Sequence, residues 1–580
     1  MAGTLPLDIW WLVCEELTAG LDFDGLYNFA RTCRTMANFA LPSLYSIHEL
    51  ASASAEDASI IGKQKLATLW RAIILSSVGE TAFPYCLWIQ NLKLGDLKEL
   101  LTDIAPNAGL RASFFHGCMA PYEMVLQLDP AATGSGKTTT HNRSTRRNRP
   151  RLDLQGISNK VGEDVTLFVK ESAERDNRAV ALTHLEGQYI PMDVLPAWTS
   201  RLATLMSLHI QDGSVIGEQV AVSIRDNCPK FRELTCFYCD GPSVDEDLAS
   251  FFRTVRPNSL EVFSVSSKNR LGREALGALS LHASSLKKLV LSDLQGIAFE
   301  HVGALRPCTA LAQLELEAER TAVVDWLHDY PESFADTVVW LGDCKELTDL
   351  KLRNVPGASR LLERVFKSAN VQLKALDLTL IDADEEDDAK INFYKSLGKQ
   401  EKLETFILRS DDVMLDYASV EHTQLINSMS KWRDLKVLDV MQTNLLEGDL
   451  EVLAASLENL EEISFDGDLM GDSVLESLLK MRKLKTVNIT AGTVFTVEGL
   501  LAFINQLGVM SKTRVAARPL ESALASSSHS GVNLVIMNQL LQAQISASEV
   551  QFLSEHAQST RVGKIEIAHP EEEHESDFSD

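Results

Sequence analysis

The chain of 580 residues carries 81 acidic against 55 basic side chains, a net charge of −26, with 45% apolar and 23% charged residues. That balance is ordinary for a soluble globular protein, and the length allows several domains. No run of about 18 apolar residues exists to span a bilayer, and the acidity argues against general binding to nucleic acid or to anionic membranes. The N-terminus is apolar but lacks a basic start and carries Asp8, Glu15 and Glu16, so it does not read as a signal peptide. The nine cysteines are scattered and odd in number, and they read as reduced thiols in the cytoplasm or nucleus.

Leu5 to Tyr45 predicts three short amphipathic helices. Pro6 suits a first helical turn. Ile9, Val13 and Leu17 recur at helical spacing, with Trp10 and Cys14 beside them. Asp24 is the expected N-cap of a second helix carrying Leu26, Phe29, Ala30 and Cys33. Met36, Phe39 and Ala40 form a third stripe, which Pro42 is expected to end. Forty residues cannot bury this apolar surface alone, so the rest of the chain or a partner must cover it.

This order of residues, from Leu5-Pro6 through Leu26-Tyr27-Asn28-Phe29-Ala30-Arg31-Thr32-Cys33 to Ala40-Leu41-Pro42-Ser43-Leu44-Tyr45, resembles an F-box. The resemblance implies docking on the Skp-type adaptor of a cullin-based ubiquitin ligase. It assigns adaptor binding to Leu5, Pro6, Ile9, Trp10, Val13 and Leu17. Leu26, Phe29 and Cys33 would be shared between the internal core and that interface.

Residues 51–64 are small and polar and read as a linker. Leu66 to Leu75 predicts a helix, Ile89, Leu92 and Leu94 introduce a spacing that returns later, and Asp96 to Asp103 predicts another helix. Residues 129–151 hold six Lys and Arg, no acid after Asp129 and almost no apolar side chain, which reads as a disordered basic insertion. Within it, Ala131 to Thr138 imitates a phosphate-binding loop through Gly136, Lys137 and Thr138. The working motif needs a strand before it and a helix after it, whose amides hold the phosphate. Neither pattern flanks this copy, so nucleotide binding is not expected.

From about residue 180 one pattern recurs: apolar, two variable, apolar, one variable, apolar. It occupies Leu205/Leu208/Ile210, Phe231/Leu234/Cys236, Leu260/Phe263/Val265, Leu286/Leu289/Leu291, Leu311/Leu314/Leu316 and Leu347/Leu350/Leu352. It continues through Leu373/Leu376/Leu378, Leu403/Phe406/Leu408, Leu435/Leu438/Val440, Leu460/Ile463/Phe465 and Leu484/Val487/Ile489. Amphipathic helices such as Arg360 to Ser368, Leu450 to Leu457 and Val474 to Leu479 fall between the triplets. A triplet of this form at a period of about 20 to 29 residues signals leucine-rich repeats. The expected fold is therefore α/β: a three-helix head, then a curved solenoid with short parallel strands on its concave side and helices on its convex side. A doubly wound α/β enzyme would need longer strands and a ligand-binding turn, and neither is found. After residue 490, Val497 to Leu507 predicts a helix, 516–531 a loop, Val532 to Met537 and Gly563 to Ile567 terminal strands, and Ala547 to His556 a helix between them. The domains read as 1–48 head, 49–128 linker with a first repeat-like unit, 129–152 basic insertion, 153–568 solenoid with a C-terminal cap, and 569–580 acidic tail.

Strand side chains alternate, so residues between the triplet positions should point out of the concave face. The candidates for target binding are Phe237, Val262, Val290, Glu315, Lys351, Arg353, Asp377, Ile407, Arg409, Asp439 and Met441. No cofactor or metal is expected. Cys236 and Cys239 form a lone CxxC without a second ligand pair, and Asp382 to Asp388 lacks the alternation and glycine of a calcium loop. No catalytic constellation announces itself, so the chain is expected not to be an enzyme.

An F-box followed by leucine-rich repeats resembles a known F-box subfamily, and Leu69 to Ser77 with Phe83-Pro84-Tyr85-Cys86 resembles its filamentous-fungal members. The resemblance implies a substrate receptor of a Skp adaptor–cullin–F-box ligase that binds a target protein for ubiquitination. The alternative is a repeat scaffold for protein interaction outside ubiquitin ligases.

Overall fold

A computed structural model describes residues 6–47, 60–126, 151–178, 180–321, 324–367, 370–380, 387–410, 419–441, 443–516, 532–538, 545–560 and 563–568. Leu5, the linker 51–59, the decoy loop 131–138, nearly all of the basic insertion, the acidic turn 381–386, the loop 517–531 and the acidic tail lie outside the described residues. The chain divides into two compact units, Met1–Lys268 and Asn269–Asp580.

The first unit opens with helices α1 (Leu7–Ala19), α2 (Phe23–Ala30) and α3 (Arg34–Ser46). There follow α4 (Ile60–Ser77), β1 (Asn91–Lys93), α5 (Leu94–Ile104), α6 (Ala108–Phe114), α7 (Leu154–Arg175) and β2 (His184–Gly187). Then come α8 (Leu195–Arg201), β3 (Ser207–Asp212), α9 (Glu218–Asn227), β4 (Glu233–Tyr238), α10 (Val244–Thr254) and β5 (Val262–Val265). Each of β1 to β4 pairs in parallel with the next strand in sequence.

The second unit runs α11 (Arg273–Leu279), β6 (Lys288–Leu294), β7 (Gln313–Ala318), α12 (Trp326–Asp329), α13 (Pro331–Asp343), β8 (Asp349–Arg353), α14 (Ala358–Lys367) and β9 (Ala375–Leu380). It continues with α15 (Asp387–Leu397), β10 (Thr405–Ser410), α16 (Val420–Met429), β11 (Val437–Val440), α17 (Glu447–Ser456), β12 (Glu462–Met470), α18 (Asp472–Lys480) and β13 (Thr486–Thr493). It closes with α19 (Val497–Ala516), β14 (Asn533–Asn538), α20 (Ala547–Ser559) and β15 (Ile565–Ala568). Strands β6 to β15 are again all parallel and in sequence order. This is the architecture of a leucine-rich-repeat array, one short strand per repeat.

The triplet explains the array. Its second and third apolar residues lie on one side of the strand, and the first lies in the turn before it. Every residue of the eleven triplets is at most 5% exposed. Burying a leucine or valine is worth about 1.5–3 kcal/mol, and here each finds its cover in the neighbouring repeat. The array begins at β1, before the basic insertion, because Leu92 and Leu185 pair in register. Strand β2 escapes the triplet pattern because its third position is Gly187. An added Cβ there would lie 2.4 Å from Ile190 Cδ1, so the Ile190 side chain fills the missing place from three residues further along the chain.

Three expectations are corrected. Helix α2 starts at Phe23 and is capped by Asp22, whose carboxylate accepts from Gly25 N at 2.7 Å, so Asp24 lies inside the first turn. Pro42 does not end α3, which runs through it to Ser46. The lost backbone bond is outweighed by packing at the helix end, where Tyr45 is buried and stacks on Tyr85 at 4.7 Å. The linker reading also overreached, since α4 already begins at Ile60.

Helix α7, with 22 residues, was not anticipated. Asp153 caps it through Gly156 N at 2.9 Å. It packs on α8 at Gly162, where an added Cβ would come within 2.2 Å of the buried Trp198 ring. Gly162→Ala is therefore expected to lower stability by about 1–3 kcal/mol through overpacking, read as a fall in the thermal unfolding midpoint, whereas Gly277→Ala, helical and with open space at its Cβ, holds it or raises it by up to about 1 kcal/mol.

Candidate functional site

The N-terminal helices wrap a small core of Cys14, Leu26, Ala40 and Ile47, with Leu17, Phe23, Phe29, Ala30, Phe39 and Leu44 packed around it. Leu26 thus sits inside the head, while Leu17 and Phe29 are half-buried at its margin. Trp10 lies against Phe29, ring centroids 5.3 Å apart, and Val13 is also half-buried. Pro6 is exposed as the N-cap residue of α1. Ile9 is exposed, and so are Trp11, Leu12, Leu21 and Tyr27, which the reading by sequence did not single out. Ile9 and Leu12 are three apart and share one face of α1. These exposed apolar side chains could have been found by asking which positions the Cys14–Leu17 stripe leaves on the other side of the helix.

Tyr45, Phe83, Tyr85 and Trp88 form an aromatic cluster that ties the head to the first repeat, with Tyr85 and Trp88 edge to face at 5.7 Å. Burial pushes the Tyr45 phenol well above its ordinary pKa, with Tyr85 adding to the shift. Cys33 stands exposed as the N-cap of α3. The amide N–H of Met36, with help from Thr35 and Thr32, holds its thiol below the ordinary cysteine value.

In the second unit the outward side of the strands carries a lateral ion-pair network. Register places Glu315, Lys351 and Asp377 in one row and Glu317 and Arg353 in the next. Glu315 meets both Lys351 and Arg353 at 3.4 Å, and Arg353 reaches diagonally to Asp377 at 2.6 Å. Burial works against the Arg353 charge, but the hydrogen bond and the charge of Asp377, with Glu315 behind, outweigh it and raise its pKa. Asp377 is only 7% exposed. Arg409 repeats the diagonal toward Asp439 at 2.8 Å. Ile407 and Met441 lie half-buried between these pairs, as does Val290 on β6.

In the first unit Phe237 projects from β4, 55% exposed, and Val262 on β5 is half-buried. The His209 imidazole lies 3.6 Å from Glu233 and holds that carboxyl below its ordinary pKa against the effect of burial. Cys236 and Cys239 occupy the third apolar position and the inward turn position of one repeat, and both are fully buried. Contact with the Cys239 thiol, then burial, pushes the Cys236 thiol well up, which disfavours the thiolate that metal binding requires. Gly213 leaves room for the Cys239 sulfur, which would lie 2.4 Å from an added Cβ. No group of three metal-ligating side chains comes together among the described residues. No helix among them is long and apolar enough to cross a membrane.

No protein-family model matches the chain, and no curated protein matches it. Solved structures are similar to the chain at low identity. The Rad7–Elc1 complex of yeast is similar over 58% of this chain and 85% of that one, with 18% identity and a TM-score of 0.36. The TLR13–ssRNA13 complex is similar over 63% and 58%, with 13% identity and a TM-score of 0.33. The leucine-rich repeat-containing protein LegL7 from Legionella pneumophila is similar over 61% and 96%, with 14% identity and a TM-score of 0.28.

Two measurements probe these surfaces. In the native protein, brief alkylation followed by peptide mapping is expected to label exposed Cys33 and Cys118 only, and Cys33 is expected to stay reactive at a pH where an ordinary thiol slows. Arg353→Met strands the nearly buried Asp377 and is expected to cost about 1–3 kcal/mol, whereas Arg409→Met, from an exposed pair, costs under about 1 kcal/mol; urea unfolding compares them.

Proposed function

We propose that the chain is a non-catalytic substrate receptor of a Skp adaptor–cullin–F-box ubiquitin ligase. The observation that carries this is the head itself: three helices fold around their own small core yet leave Ile9, Trp11, Leu12, Leu21 and Tyr27 in solvent. Exposed aromatic and aliphatic side chains on one small helical unit suit a partner surface. They belong to the same stretch whose residue order resembles an F-box. The aromatic cluster at Tyr45, Tyr85 and Trp88 fixes that head to the first repeat, so a partner held by the head stays at a set distance from the strands of its unit.

In this reading the array supplies the second function. Its strand faces bind a target protein, and the head hangs the assembly on the adaptor. The chain does no chemistry. It raises the effective concentration of the target near a ubiquitin-charged enzyme held on another subunit.

The test is co-expression of the full chain with a fungal Skp-type adaptor and cullin, beside Ile9→Asp/Leu12→Asp. The expected outcome is recovery of both partners with the parent chain and loss of at least about tenfold in the variant, with its thermal midpoint unchanged. Recovery of adaptor without cullin points to a role outside ligases. Failure to recover the adaptor with a well-folded chain sinks the proposal and leaves an interaction scaffold.

A further inference from the structure

We infer that β15, the last strand of the second unit, is a docking edge for a second copy of this chain, and that two copies pair there antiparallel about a two-fold axis at Ile565. This goes beyond the receptor reading and does not depend on it. Three observations carry it.

The first is an open edge. Strands β7 to β14 are each paired on both sides, whereas among the described residues β15 pairs with β14 alone. The Leu534 N–H donates to the Lys564 carbonyl at 2.9 Å. Parallel pairing engages alternate residues of a strand, so Lys564, Glu566 and Ala568 serve β14, and the N–H and C=O groups of Ile565 and Ile567 point the other way. A row of such groups is a template for another strand.

The second is a groove along this edge. Its volume is about 510 Å³, and β15 lines it with four successive residues, Ile565 to Ala568. Successive strand residues point to opposite faces, so a groove touching all four follows the edge of the strand and not one face. Val550 and Ser554 of α20, both half-buried, form a helical wall, and Met537 on β14 is 51% exposed beside it. Ile567 continues the inward row of Ile489 and Ile536. Those two are 0% and 1% exposed, because a further strand lies beside each. Ile567 lacks that cover and is only half-buried. An apolar core position is thus left open where a next strand would lie.

The third is charge, which selects the occupant. Lys564 and Glu566 are exposed, stand on either side of Ile565 and pair with each other. An antiparallel second copy centred on Ile565 sets Lys564 of each copy opposite Glu566 of the other, twice over by symmetry. Lys564 and Glu566 then occupy non-hydrogen-bonded sites, where facing residues come closest and opposite charges stabilise the pair. Ile565 exchanges both of its backbone bonds with its counterpart. Centring on Glu566 would set two glutamates face to face, which is unfavourable. At one register, then, the edge is complementary to itself in backbone and charge, as a two-fold interface requires. Such a dimer carries two heads and two arrays, so a target with two recognition sites would be held more tightly than by one chain.

Sedimentation velocity of the full chain from about 1 to about 100 µM reads the association. The expected species has twice the mass of one chain. Lys564→Glu sets like charges opposite each other at both pairs, and so does Glu566→Lys, and each alone should weaken dimerisation about tenfold or more. Mixing the two single variants should restore the dimer, because each then faces the opposite charge in the other, an effect that no change within one chain reproduces. Ile567→Pro removes an edge N–H that β14 does not use and should abolish association. Ile9→Asp/Leu12→Asp, in the head, should leave it unchanged. A monomer throughout the range would overturn the inference, as would a dimer that both single reversals leave intact, a mixture that stays monomeric, or a dimer lost with the head variant. Adaptor recovery by the Lys564→Glu chain reports on the head alone, so failure at this edge and failure of the receptor reading are told apart.

Discussion

Burial of three apolar side chains per repeat, each completed by the repeat beside it, is the constraint on which the rest of this structure depends. A strand of three to nine residues and one helix cannot close a core between them. Leu376 and Leu378 on β9 are buried only because β8 and β10 continue the layer on either side. Parallel order follows from the same requirement, since each chain segment must return over its helix to start the next strand alongside the last. Departures from the triplet are tolerated where a side chain nearby refills the space, as Ile190 does beside Gly187.

With the inward side committed to the core, the outward side is left to charge and shape. The two units use it differently. In the second unit the register sets arginines one step beyond acids on neighbouring strands, and the long guanidinium arms reach back diagonally, so Arg353 and Arg409 neutralise Asp377 and Asp439. That face is largely self-satisfied. In the first unit the strands carry carboxylates, amides and histidines without arginine, and aromatic residues stand at the rim.

The head follows another logic. Its core is small because three short helices enclose few residues, and the apolar face of α1 exceeds what that core can cover. Its attachment is correspondingly aromatic: large rings at Tyr45, Phe83, Tyr85 and Trp88 bury much area with few residues. This packing also carries α3 past Pro42, where local preference alone would have stopped it.

Much of the array was legible in the chain because its signal is periodic and local: a triplet of apolar residues forces a short strand with one side in, wherever it occurs. The helices between were legible for the same reason, though α7, set between the basic insertion and β2, was not, since it falls outside the regular period. The candidate faces were legible only as sets of outward positions. Which of Leu26, Phe29 and Ile9 lies inside the head depends on how three helices cross, and no spacing within one helix decides that. Nor could spacing show that Asp377 is held by Arg353 while Glu186 stands opposite Lys93, because register between strands pairs residues from separate repeats. The sequence by itself determined the repeat, its inward side and the head's apolar stripes. The tertiary structure decided which apolar and charged groups remain free to meet another molecule, since that depends on contacts between segments distant in the chain.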